Sequence, residues 1–237
     1  MNKKRDYISP SDLTFLWNEC KKCLWLKYNH KISTPGFMPL VGPMSAFQES
    51  MYREKATSYL SNELAPGVVS DWGKKVISKP IVIDGVETNW RIEGKYDLVI
   101  TFDDGSLGLI DCKVTTSEMD ADKVSHYRPQ LEAYAYALEN SLNEESKKVS
   151  ETGLMMWRVN GAEGEPEESF SFKTSHQYLS AGRDPGAFLG LVKEVINCIE
   201  GEMPESGDDC KNCKYVEKRK AVSKNAEKQF MLEESIA

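Results

Sequence analysis

The chain has 237 residues, with 30 Lys and Arg against 37 Asp and Glu, a net charge of −7, and 40% hydrophobic residues. That balance excludes the disordered, collagen-like and disulfide-scaffold classes. The longest apolar run, Ala133–Leu138, is far short of the ~20 residues of a membrane helix, and the charged start Met1–Asp6 has no apolar stretch behind it. The expectation is therefore a cytoplasmic protein without a membrane partner or secretory leader, organised as one domain over 1–237.

In chain order, Ser9-Pro10-Ser11-Asp12 reads as a helix start, a Ser cap followed by Pro in the first turn. Leu13, Leu16, Trp17, Cys20, Leu24 and Leu26 continue it as a helical stripe. The Pro- and Gly-rich stretch 32–43 reads as a loop, and Met44–Leu60 as a second helix. The period then shortens to that of strands at Val76-Ile77, Ile81–Ile83, Trp90–Ile92, Leu98–Ile100 and Leu107–Ile110. Asp84-Gly85 and Asp104-Gly105 mark hairpin turns among them. A helix is predicted over 122–140, kinked or opened by Pro129. Strands follow at Leu154–Val159 and Phe170–Phe172, separated by an acidic loop at Glu163–Glu168. Asp184-Pro185 opens a last helix to about Ile199, and 221–237 reads as a flexible or marginally helical tail. This order gives an α/β fold with a mixed central β-sheet flanked by helices.

Charge is uneven along the chain. Residues 1–31 hold seven Lys/Arg against three acids, and residues 211–237 hold seven against four, so two basic ends flank an acidic middle. The ends form one patch if the fold joins them, and are ordinary solvated faces if it does not.

The chemistry-bearing stretch runs from Gly94-Lys95-Tyr96-Asp97 to Leu109-Ile110-Asp111-Cys112-Lys113. In a strand, Asp111 and Lys113 point to one face. A two-residue turn at Asp104-Gly105 sets Asp97 opposite Cys112, and a three-residue turn at Asp103–Gly105 sets it opposite Asp111. Either register makes the two carboxylates neighbours. With the Cys112 carbonyl they form a hard-oxygen site suited to Mg²⁺ or Mn²⁺. Lys113 is placed to orient a water or neutralise charge on a phosphate. Asp-x-Lys alone is also common on ordinary surface hairpins. Gln130 and Tyr134, four apart, share one helix face and suit a phosphate or base near such a site.

The ordered set Gly94-x-x-Asp97, Asp111-x-Lys113 and Gln130-x-x-x-Tyr134 resembles the PD-(D/E)XK nuclease superfamily, and within it the RecB-like branch. The resemblance covers about 5–215 and implies a restriction-endonuclease-like core. It also implies aspartates that hold the metal, a lysine that assists the water, and a Gln/Tyr pair that contacts substrate. One departure concerns the His that RecB-like exonucleases usually carry after a Gly on the helix before the sheet. Gly42 here leads into Pro43-Met44-Ser45-Ala46-Phe47-Gln48-Glu49. Glu49 either supplies the missing ligand or takes a solvent-facing or structural role. His126, four residues before Gln130, is either a substrate contact or an ordinary surface residue.

Cys20-x-x-Cys23 and Cys210-x-x-Cys213 are two pairs at opposite ends of the chain, which suits one four-thiolate site holding Zn²⁺ or a 4Fe–4S cluster. Cys112 and Cys198 read as packing thiols. The segment from Ser9 through Leu26 resembles the N-terminus of iron–sulfur nucleases, including the CRISPR-associated adaptation nucleases and the AddB-type helicase–nucleases. Those usually have one N-terminal and three C-terminal cysteines, whereas this chain has two and two. The resemblance implies a 4Fe–4S cluster, with Zn²⁺ the alternative, built from 9–31 and 205–220. It further implies a DNA exonuclease on single-stranded or end-containing DNA, with a helicase or adaptation complex as possible protein partner. The rival readings are a non-catalytic DNA-binding relative and a Zn-binding interaction protein.

Overall fold

A computed structural model describes residues 6–33, 41–118, 120–165 and 169–234, with the side chains of 41, 121, 170 and 224–234 left aside. Parts of the expected loops, 34–40 and 166–168, lie outside the described residues. A two-residue strand β1 (Tyr7–Ile8) leads into three short helices, α1 (Pro10–Thr14), α2 (Leu16–Glu19) and α3 (Lys21–His30). The sequence pattern predicts one continuous helix here. Two residues break it: Phe15 at the first joint, and Cys20, which is fully extended at φ −165° and starts α3. Next come α4 (Val41–Tyr52), α5 (Thr57–Leu60), β2 (Gly67–Trp72) and β3 (Lys75–Ile77). The predicted 44–60 helix is thus split after Tyr52, where Glu54 takes a left-handed φ of 57°. Gly42 and Pro43, expected in a loop, belong to the first turn of α4.

β4 (Val82–Ile83) and β5 (Val86–Glu87) form a hairpin through Asp84 and Gly85, both at positive φ, as an Asp-Gly turn requires. β6 (Arg91–Lys95), β7 (Leu98–Phe102) and β8 (Leu107–Thr115) precede the long helix α6 (Ala121–Glu139). Pro129 lies inside α6, so it neither starts nor ends the helix. β9 (Val149–Gly164) and β10 (Phe170–Ser180) make a hairpin longer than its apolar runs predict, with Glu163 inside β9. α7 (Pro185–Glu200) is capped by the Asp184 side chain, and α8 (Lys211–Glu234) continues the expected tail as helix. None of the helices among the described residues is long and apolar enough to cross a membrane.

The main sheet has the order β10-β9-β8-β7-β2. Only the β8–β9 pair in it is parallel, with α6 as the crossover, so the sheet is mixed. β8 lies at its centre, and its first six residues are buried. Alternation splits its side chains between two apolar layers. Leu107 and Leu109 join the layer under α1, α3, α6 and α7, while Ile110 and Cys112 join the layer with Tyr52 and Leu60 under α4 and α5. Asp111 is therefore directed into the α6 side by the same alternation that buries Leu109. A smaller sheet, β1-β6-β3, delivers the chain to Asp97.

Candidate active site and cysteine centre

Pairing of Leu98 with Ile110 and Val99 with Leu109 selects the three-residue turn, since Phe102 and Ser106 close around Asp103–Gly105. That register carries Asp97 to the level of Asp111. Asp97 itself lies in the bend just before β7 rather than within the strand. Its Oδ2 accepts the Cys112 backbone N–H at 2.7 Å, and its own carbonyl accepts the N–H of Gly73 at 2.9 Å. Burial, reinforced by the Asp111 carboxylate, pushes Asp97 up to about 7 against the pull of Lys113 and the Cys112 N–H. Lys113 Nζ stands 2.6 Å from Asp111 Oδ2 and forms an ion pair with it. Burial works against the Lys113 charge, but Asp111 and Asp97 outweigh it and raise its pKa.

The resemblance implies substrate contact for Gln130 and Tyr134; both are buried, and each gives one polar atom to a protein partner, while Gln130 Oε1 has none among the described residues. Gln130 Nε2 donates to Asp111 Oδ1 at 2.8 Å, and Tyr134 Oη donates to the Lys95 carbonyl at 2.7 Å. Tyr134 also explains Gly94, because a β-carbon there would meet the Tyr134 ring at 2.7 Å and Pro10 at 2.9 Å. The helix face carrying these two side chains thus grips the segments that present Asp97 and Asp111.

The cysteines converge as their spacing predicts. All four sulfurs lie within 4.8 Å of one another. Cys23 approaches Cys210 at 3.6 Å and Cys213 at 3.7 Å, and Cys20 approaches Cys213 at 3.8 Å. Each pair sits at a helix N-terminus: Cys20 precedes α3 and Cys23 is in its first turn, while Cys210 precedes α8 and Cys213 is in its first turn. Backbone N–H groups and helix dipoles there favour thiolates. Burial alone would raise Cys20, but N–H groups of Gly207 and Cys23 bring it down to about 7. Cys213 is pushed up to about 11 by burial and the Cys210 thiol, and Cys23 is pushed up by burial and its facing thiols. Four sulfurs this close, with the protons of only some held loosely, are a donor set completed by a cation.

The model of the PD-(D/E)XK nuclease superfamily matches residues 43–217. The chain belongs to the PD-(D/E)XK nuclease superfamily. No curated protein sequence matches it. Among solved structures, it is similar to the crystal structure of SSO0001, at 14% identity and a TM-score of 0.48, over 83% of this chain and 78% of that one.

For a superfamily member, the α4 residues hold the least predictable positions. Glu49 is buried rather than facing solvent, and its carboxylate lies 3.9 Å from Arg53. Gly73, at φ 60°, makes room for it: a β-carbon there would stand 2.9 Å from Glu49 Oε2. Glu49 raises Asp97 electrostatically, which places its carboxylate on the side of α4 that faces the Asp97 bend. Gln48, fully buried, is a site residue that the sequence reading passes over. Its Nε2 donates to the carbonyls of Lys113 at 3.2 Å and Met155 at 3.4 Å. The signal for it was a glutamine four residues before Tyr52, both on the face of α4 turned to the sheet. His126 is exposed, Cys112 is buried in the layer under α4, and Cys198 is half-buried on α7.

Proposed function

We propose that this superfamily member is a Mg²⁺- or Mn²⁺-dependent deoxyribonuclease that hydrolyses phosphodiesters of single-stranded or end-containing DNA. The observation that carries the reading is the meeting of Asp97, Asp111 and Lys113 at the end of buried β8, with two carboxylates sharing one ammonium. Two coupled carboxylates with one raised to about 7 fit a divalent cation, which offsets the charge that one lysine does not. Asp97, Asp111 and the Cys112 carbonyl are the residues to hold it. When bound, the cation supplies Lewis-acid polarisation and charge neutralisation at the scissile phosphate. Lys113, fixed by Asp111, orients the attacking water and offsets charge on the phosphate. Gln130 holds Asp111 in place, and Tyr134 holds the chain ahead of Asp97. Helicase or adaptation-complex partners belong to the resemblance alone.

The cysteine centre enters the same proposal as a structural clip, and its sulfur spacing favours one ion. Around Zn²⁺ with bonds of ~2.3 Å, tetrahedral geometry sets thiolates about 3.8 Å apart. In a four-iron cubane each thiolate binds its own iron outside the core, which spreads the sulfurs to roughly 6 Å. The pairs at 3.6, 3.7 and 3.8 Å support zinc over the iron–sulfur cluster that the resemblance implies.

The test of the active site is cleavage of end-labelled DNA with Mg²⁺, Mn²⁺ or EDTA. The wild-type protein is expected to cut with metal and not with EDTA, and Lys113→Ala to lose at least ~10²-fold in rate. Equal cutting by Lys113→Ala refutes the role given to that lysine. Binding of DNA without any metal-dependent cleavage would instead support a non-catalytic relative.

A further inference from the structure

We propose that Phe15, His126 and Tyr127 form a stacking platform for unpaired bases of the DNA strand whose phosphate lies at Asp97 and Asp111. The inference rests on the nuclease reading and adds a base-binding subsite to it. Three observations carry it.

The first is the rings themselves. Their centroids lie 5.6 Å apart for Phe15–His126, 5.9 Å for Phe15–Tyr127 and 5.1 Å for His126–Tyr127, each pair near edge-to-face at 69°, 78° and 80°. Edge-to-face packing holds each ring rigid without stacking one face over another. The second is exposure. Phe15 falls at the joint between α1 and α2, where the helical stripe breaks, and its side chain is 39% exposed although its helix neighbours Leu13 and Leu16 are buried. His126 is exposed as well. The third is position. Lys113 Nζ sits 5.1 Å from the Tyr127 ring centroid, so the platform begins at the lysine of the proposed site. The adjoining cleft, of about 500 Å³, is lined by Lys113, Lys123, His126 and Tyr127, and also by Asp120 and Asp122.

The chemistry of the cleft selects the ligand. Its two lysines face two aspartates, so it is not a track for phosphates alone. What it offers is aromatic surface beside a site that would take a phosphate. Bases stack on aromatic rings whatever their identity, because each has a π-face. In a duplex those faces are covered by neighbouring pairs, so only an unpaired strand can use the platform. The subsite would make the protein prefer single strands or frayed ends, with little preference for sequence.

The experiment compares two probes on the full chain in EDTA, so that no cleavage occurs. They are a fluorescein-labelled oligothymidylate and an abasic deoxyribose-phosphate strand of the same length, which has the phosphates and no bases. Wild-type protein is expected to bind the oligothymidylate about tenfold more tightly, the scale of stacking one base. The ratio should collapse toward one in Phe15→Ala/His126→Ala and return in Phe15→Trp/His126→Ala. Equal binding of both probes by the wild-type protein overturns the platform, and this arm needs no variant to fold. Retention of the ratio by the double variant overturns it too. If the wild-type protein binds neither probe and cuts no DNA with Mn²⁺, the nuclease reading fails and the platform with it. Metal-dependent cutting without probe discrimination sinks the platform alone.

Discussion

Half-buried at the bend before β7, the Asp97 carboxylate has another carboxylate, Asp111, as its neighbour, and the Cys112 N–H and Lys113 only partly offset that. Its pKa rises from the ordinary 3.8 to about 7, so without a divalent cation the folded chain takes up a proton that the unfolded chain releases at lower pH. The sign follows from linkage: protons bound in excess by the native state mean stability falls as pH rises across that interval. In EDTA, the thermal midpoint of the wild-type protein is expected to include a component lost between pH ~4 and ~7. Asp97→Asn removes this component and should be more stable than wild type at pH 7.5 in EDTA. Adding Mn²⁺ should raise the wild-type midpoint and leave the variant nearly unmoved. Matching pH profiles of the two proteins in thermal melts would show that Asp97 is not the strained carboxylate.

At the scale of elements, the site is a seam where α4 and α6 grip β8 from opposite faces. α6 does so through Gln130 on Asp111, and α4 through Gln48 on the Lys113 carbonyl. Gln48→Ala leaves a buried carbonyl without its donor, which costs about 1–3 kcal/mol. Thermal melts should register that loss, and kcat should fall with little change in KM, because Lys113 is displaced while the Phe15, His126 and Tyr127 rings proposed to bind the strand are untouched. An unchanged kcat in a measurably destabilised variant would make Gln48 a packing residue only. The seam also shows which features the sequence made legible. Asp97, Asp111 and Lys113 could be read because strand alternation and turn length are local rules, and the two possible turns were separated only by the closure of Phe102 on Ser106. The single helix expected from Leu13 to Leu26 failed because the cysteine centre, 187 residues distant in chain between Cys23 and Cys210, needs Cys20 extended. β2 was invisible for a related reason. Val68 is 42% exposed and Val69 fully buried, with the register shifting between Val69 and Asp71, so no clean alternation marks the strand. The hidden roles of Gln48 and Glu49 are likewise tertiary, set by what lies across from α4.

Over the whole molecule, the two ends of the chain are joined by more than sulfur. Trp25 Nε1 donates to the Gly201 carbonyl at 3.0 Å and Asn29 Nδ2 to the Ile199 carbonyl at 2.9 Å, fastening α3 to the end of α7. Gly207 completes the joint: its N–H points at Cys20 Sγ from 3.4 Å, and a β-carbon on it would strike the Glu19 carbonyl at 2.8 Å. Lys22 and Lys220, one from each basic end, line the same cleft beside Cys23 and Cys213, so the fold does gather the two positive segments. Among the described side chains of α8, the large apolar ones, Tyr215, Val216 and Val222, are exposed. Its attachment therefore depends on the cysteine centre, where metal-binding free energy becomes folding free energy. Purified protein is expected to carry one zinc per chain and little iron by elemental analysis. Cys213→Ser should lose that metal, while Cys198→Ser, whose thiol lies outside the four, should keep it. Loss of metal worth ~3 kcal/mol would lower the thermal midpoint by about 10 °C for a chain this long. It should also open α8 to limited proteolysis ahead of the rest of the chain, leaving the sheet and the Asp97–Asp111 site standing. About four irons per chain with visible absorption would overturn the single-ion assignment, and full metal retention in Cys213→Ser would overturn the ligand set. A variant that loses its metal while α8 remains as protected as in wild type would show that the helix is held by packing instead.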